Sequence, residues 1–174
     1  MGIASMSSHI ESPVQEHTVN LANDVQWITG NLRSLGNPHN YINQENLDYF
    51  IIRNAHFSPW SFKGLPNSHA PQATLLKDNV HFFSFPDPDS LETFRKPLHT
   101  SLIILHLPIA VIRGAAPFLS EATLDNFLDF WKGPFFPMCD VNIHYLSDCA
   151  TRLPDKFDLL YINRKSVLSY ISGS

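Results

Sequence analysis

Along the first part of the chain the apolar residues Leu21, Val25, Ile28, Leu32 and Leu35 follow Val19 mostly at steps of three and four. That is the helical period, and it predicts a helix over residues 19–35. Thr18 or Ser12 would cap its start, and Gly36 with Asn37 and Pro38 would close it. A short extended piece over residues 39–42 follows. A second helix is predicted after Asn43, running to about Asn54, with Leu47, Phe50, Ile51 and Asn54 on its inward face. Residues 55–79 carry Pro59, Gly64, Pro66 and Pro71 without a sustained period and read as a long loop, of the kind that is usually functional.

Residues 80–85 read as a strand that Pro86-Asp87-Pro88-Asp89 ends before a short helix over residues 90–96. The mostly apolar run 100–107 suits a strand buried on both faces and is expected at the centre of the sheet. Ser120 would open a further helix, with Leu124, Phe127, Leu128 and Trp131 on one face and Gly133-Pro134 as its stop. Residues 141–146 alternate as a half-buried strand, and residues 159–163 supply the last one. No internal repeat or low-complexity segment stands out. This order of elements predicts an α+β fold: a small split sheet, antiparallel or mixed, with an N-terminal helix and flanking helices. Residues 14–174 are expected to form one domain behind a flexible N-terminal lead, 1–13.

Apolar residues make up 44% and charged residues 16%, so the chain can bury a core without staples. The formal charge of −4 provides no basic field to hold a phosphate backbone, and no stable nucleic-acid binding is expected. Residues 102–112, the most apolar run, are broken by His106 and Pro108 and fall short of the roughly 20 residues that a spanning helix needs. The expectation is a soluble protein without membrane association, cytoplasmic or delivered into a target cell. Cys139 and Cys149 read as free thiols, buried rather than catalytic.

Nine histidines invite a metal, but they are scattered, and neither HExxH nor paired CxxC occurs, so no metal is expected. A serine-hydrolase elbow, GxSxG, is missing, as are the phosphate cradles GxGxxG and GxxxxGK. His99-Thr100-Ser101 has the look of half of a two-histidine phosphoesterase site whose second half is lacking, and Asp87 and Asp89 read as turn and capping residues.

One ordered series remains. His39-Asn40-Tyr41-Ile42, Gln44-Glu45-Asn46-Leu47 opening a helix, Ile51-Ile52-Arg53-Asn54 and Ser58-Pro59 resemble the first strand and helix of ADP-ribosyltransferases. Residues 77–83 with Pro86 look like their second strand. Phe157-Asp158-Leu159-Leu160-Tyr161-Ile162 is similar to the late strand opened by an acid, especially in the DNA-modifying toxins of the DarT group. The resemblance implies an NAD-dependent transferase, a toxin or effector acting on a protein or nucleic-acid acceptor. Asp158 and His39 would be its catalytic residues, with Asp158 stabilising positive charge on the nicotinamide ribose. His39, Asn40, Tyr41, Asn46 and Arg53 would bind NAD, and Phe83 or Ser84 would flank the nicotinamide. Two departures stand out: Asp158 occupies the place of a usual Glu, and Arg53-Asn54-Ala55 the place of a usual Gly.

Two other readings are compatible with the chain. One is a non-catalytic interaction protein, an effector or inhibitor, using an aromatic contact patch around Trp60 and Phe62 in the segment 55–79. The other is a small-molecule binding domain built around a pocket.

Overall fold

The computed structural model describes residues 14–92, 94–95, 98–118 and 126–173. Its strands are β1 (Val14–Ala22), β2 (Gln26–Leu35), β3 (Tyr49–Pro59), β4 (Ser68–Leu76) and β5 (Phe82–Ser84), then β6 (Thr100–His106), β7 (Ala110–Pro117), β8 (Phe135–Tyr145), β9 (Lys156–Asn163) and β10 (Ser169–Ser172). Only short helices join them: α1 (Pro38–Tyr41), α2 (Pro88–Glu92) and α3 (Phe127–Phe130). All ten strands form one antiparallel sheet in the order β10-β6-β7-β8-β9-β5-β1-β2-β3-β4.

The fold is therefore predominantly β, and the expected α+β class with an N-terminal helix is overturned. Residues 19–35 span β1, a turn and β2. The side chain of Asn23 accepts from the backbone N–H groups of Val25 and Gln26, each at 2.9 Å, and so makes the reversal. The pair Ile28 and Leu32 misled because residues four apart share a face in a strand as well as in a helix. The second predicted helix is β3, where Phe50 and Ile52 alternate inward and Asn54 adopts a left-handed φ of 48°. The predicted loop 55–79 is the rest of β3, a 3-10 turn (Ser61–Lys63) and β4. Strands near 80–85, 100–107, 141–146 and 159–163 are present as β5, β6, β8 and β9. However, β6 lies second from an edge, not at the centre. Part of the helix expected after Ser120, together with the lead 1–13, lies outside the described residues.

The strands buried on both faces are β5, residues 135–139 of β8 and residues 159–163 of β9. Phe82, Phe136, Leu160 and Ile162 enter one hydrophobic core, while their neighbours Phe83, Phe135, Leu159 and Tyr161 enter a second. Consecutive apolar residues such as Phe82-Phe83 are what such a position demands, because alternate side chains leave opposite faces. The outer strands supply the cover. The first core draws Ile103, Leu105 and Ile112 from β6 and β7 onto Trp27 of β2, six and five places away in the sheet, which requires the sheet to coil back on itself. Trp60, just beyond β3, makes an isolated bridge with Cys149 that ties down this closure.

The coiled sheet is one unit used twice. Strands β5-β1-β2-β3-β4 repeat the order β10-β6-β7-β8-β9, and α1 recurs as α3 and the 3-10 turn Lys77–Asn79 as Arg164–Ser166. Register agrees as well: Leu21 faces Phe83 as Leu105 faces Tyr170, and Ile28 faces Phe57 as Ile112 faces Ile143. Asn54 and Asp140, with φ of 48° and 52°, hold equivalent bulge positions on β3 and β8. Each bulge confronts a glycine on the neighbouring strand. A Cβ on Gly30 would lie 2.8 Å from the Arg53 carbonyl oxygen, and one on Gly114 would lie 3.1 Å from that of Cys139. Even the helix-end clamps recur, since Lys77 Nζ donates to the Gln44 carbonyl and Arg164 Nη1 to that of Trp131, each at 2.7 Å. The chain thus contains an internal repeat that its sequence did not display.

Replacing Gly30 by Ala places a methyl group 2.5 Å from Ile52 Cγ2. It is expected to cost about 1 to 3 kcal/mol, the usual penalty of overpacking. Urea unfolding of the variant checks this, and an unchanged midpoint would contradict the close approach at the bulge.

Candidate functional site

The two halves meet where β9 pairs with β5, and a pocket opens beside that junction. The one-turn helix α1 forms because Pro38 fixes its first residue and Asn37 Oδ1 accepts from the His39 and Asn40 N–H groups, at 2.9 and 3.4 Å. This turn lays His39 on the end of β9. His39 Nε2 donates to the Ser90 carbonyl at 2.6 Å, and because a carbonyl only accepts, Nε2 carries the proton. Nδ1 is then an acceptor, and the Tyr161 hydroxyl donates to it, also at 2.6 Å. Phe85, Phe94 and Tyr161 surround the imidazole with ring centroids 5.2 to 5.8 Å away.

Burial sets the protonation of this pair. It lowers the pKa of His39, with the Ser90 carbonyl opposing and His17 adding to the shift. Burial also raises the Tyr161 phenol well above its ordinary value, so both groups are neutral near pH 7.

Above them lies a cavity of about 510 Å³ lined by Asn37, His39, Asn40, Asn43, Phe94, Arg95, Trp131, Pro137 and Tyr161. Asn43 is oriented by the Phe135 N–H, which donates to its Oδ1 at 2.9 Å, and the indole of Trp131 is held by the Phe135 carbonyl at 2.9 Å. Among the described residues the lining offers amides, an arginine and aromatic faces, but no carboxylate, thiol or amine.

The residues implied by the resemblance do not converge here. His39 and Asn40 line this pocket, while Asp158 and Ser84 line a separate cavity of about 210 Å³ that shares no residue with it. His39 also belongs to a helical turn, where a strand was expected. Phe83 is fully buried, edge-on to Phe50 at 5.2 Å, with no face for a nicotinamide. Arg53 makes a surface ion pair with Glu16 at 2.7 Å, Tyr41 is half-buried, and Asn46 is exposed in the segment between α1 and β3. The residues implied by the resemblance are thus spread over two cavities, the core and the surface.

Two features lay outside the sequence reading. Tyr161 is the floor of the pocket, and only its place in a doubly apolar run pointed to it. His81 is the other: Nδ1 lies 2.8 Å from Ser166 Oγ, and Nε2 lies 2.8 Å from Asp24 Oδ1. This Ser-His-Asp line is not a hydrolase triad. The serine faces Nδ1 and the acid Nε2, the reverse of the usual arrangement. Ser166 is buried in the turn after β9, so the line clamps the β1–β2 turn to the second half. Among the described residues no group of three or more His, Cys, Asp or Glu is placed to hold a metal, and no helix is long and apolar enough to cross a membrane.

The fold and site define a class: an internally duplicated, coiled antiparallel β protein with a polar, aromatic pocket at the junction of its halves. Comparison with known protein families, curated proteins and solved structures finds no match to the chain.

The pKa shift fixes a direction for stability. His39 is depressed below its unfolded value of about 6.5, so its contribution is complete above that pH and is lost as pH falls through the folded value. His17, lowered by burial with Asp87 opposing, acts in the same sense. Thermal unfolding is expected to show stability declining below about pH 6.5, and Tyr161→Phe should lower it at neutral pH by about 1 kcal/mol through loss of the hydrogen bond. A flat profile from pH 7 to pH 5 would contradict the neutral, buried imidazole.

Proposed function

We propose that this protein is a small-molecule binding module whose ligand is a planar, polar compound with an anionic group, held in the pocket over His39 and Tyr161. The observation that carries this reading is the chemistry of the lining. Both ring nitrogens of His39 are committed within the protein, so the floor is a rigid recognition surface and not a poised acid or base. Arg95 supplies a positive charge, and Asn37, Asn40 and Asn43 supply amides from one turn. Trp131 and Phe94 offer aromatic faces to a flat ligand. The cavity, about 510 Å³, is the size such ligands occupy. Recognition through oriented polar groups on aromatic walls needs no nucleophile, and among the described lining residues there is no Ser, Thr, Cys, Lys or carboxylate.

For the interaction-protein reading, with its patch around Trp60 and Phe62, Trp60 is 1% exposed with its indole bonded to the Asn23 carbonyl, whereas Phe62 is 64% exposed.

Titration of the protein with aromatic carboxylates, mononucleotides and NAD, followed by Trp fluorescence and calorimetry, tests the proposal. At least one carboxylate or mononucleotide is expected to bind saturably, and Arg95→Ala should weaken it by about tenfold to a hundredfold, the value of a hydrogen bond to a charged group. No saturable binding by any of these compounds, or binding indifferent to both Arg95→Ala and Trp131→Ala, would overturn it. NAD binding abolished by Asp158→Ala but indifferent to Arg95→Ala would point instead to the transferase implied by the resemblance.

A further inference from the structure

The duplication leaves the two ends of the sheet unlike each other but complementary. At the internal junction β9, the last strand of the second half, pairs antiparallel with β5, the closing strand of the first. Among the described residues their equivalents, β4 and β10, are the two free edges. The repeat relates β4 to β9 and β10 to β5 residue by residue. Leu75 is equivalent to Ile162 and Leu76 to Asn163, while Leu168, Ser169, Tyr170 and Ile171 correspond to His81, Phe82, Phe83 and Ser84.

The side chains at these places differ in the way an unmade interface requires. At the internal junction Asn163, His81 and Ser84 are 1%, 6% and 2% exposed. Their counterparts on the free edges, Leu76, Leu168 and Ile171, are 60%, 69% and 50% exposed, and all three are large and apolar. Open strand edges flanked by bare leucine and isoleucine invite pairing unless something blocks them. Pro71, which cannot donate a ladder hydrogen bond, does interrupt β4, but it lies before the segment that would pair.

We propose that copies of this chain assemble head to tail, β4 of one against β10 of the next, reproducing between chains the β9–β5 junction within each. The register follows from the equivalence. Phe82 faces Ile162 and Phe83 faces Tyr161 inside the chain, so Ser169 faces Leu75 and Tyr170 faces Thr74 across the new contact. The bond from the Asn163 N–H to the His81 carbonyl, 2.8 Å at the junction, becomes one from the Leu76 N–H to the Leu168 carbonyl. Each chain has one edge of each kind, so the contact is heterologous and repeats from copy to copy, giving a ring where the rotation closes and an open filament where it does not.

Cross-linking tests the register, and solution mass tests the assembly. In a Cys149→Ser background, Leu75→Cys and Ser169→Cys are placed on separate chains, since residues facing each other across antiparallel strands lie about 4.5 to 5.5 Å apart at Cα, within disulfide reach. Mixing the two is expected to give a disulfide-linked pair. Light scattering after size exclusion should show a mass above the monomer that falls to the monomer in Leu168→Asp/Ile171→Lys. Both of those side chains are exposed in the single chain, so circular dichroism should stay unchanged. A monomer at every concentration, or an oligomer that ignores the edge charges and fails to cross-link, would overturn the proposal.

Discussion

Burial on both faces of β5, residues 135–139 of β8 and residues 159–163 of β9 is the constraint from which the rest of the structure follows. A strand so placed exposes neither row of its side chains, and Phe82-Phe83, Phe135-Phe136 and Leu159-Leu160-Tyr161-Ile162 supply apolar groups to both. Two covers are then needed, and each half provides one. Strands β6 and β7 close over one face with Trp27 and Trp60, while β2 and β3 close over the other with α1 and α2 beside them. Coiling of the ten-stranded sheet is the geometric consequence, as is the bridge between Trp60 and Cys149.

The pocket is a product of the same junction. Tyr161 belongs to β9 of the second half, His39 to α1 of the first, and Ser90 to the segment that connects the halves. Their hydrogen-bonded line exists only when the halves are docked, so the floor of the pocket reports on the docking. Rigid, neutral groups below and a cation with amides among the lining residues are what the proposed preference for flat, anionic ligands rests on. Elsewhere at the junction the Asp24-His81-Ser166 line plays a mechanical part, joining a turn of one half to a turn of the other.

How much of this can be read from sequence depends on which physical signal each element carries. Strands β5, β6, β8 and β9 were legible because short apolar runs bounded by Pro, Gly or Asp mark them. β1 and β2 were not, because Leu21, Val25, Ile28, Leu32 and Leu35 fall at spacings a helix also satisfies, and only the Asn23 turn breaks the pattern. The duplication was hidden because few equivalent positions keep their residue. Gly30 and Gly114 do, and Asn54 and Asp140 keep only the tolerance for a left-handed φ. His39 was singled out for a ribose contact and does line a pocket, yet its partners Tyr161 and Ser90 are separated from it by long stretches of chain that no local pattern connects.

Amide hydrogen exchange at low protein concentration tests the central claim most directly, since protection follows the strands whose opening requires unfolding of the whole. If both faces of the junction are buried, the amides of Phe82, Phe83, Leu160, Tyr161 and Ile162 exchange most slowly, and those of β4 and β10 most rapidly among the strands. Slowest exchange in β6, with rapid exchange across β5 and β9, would contradict it.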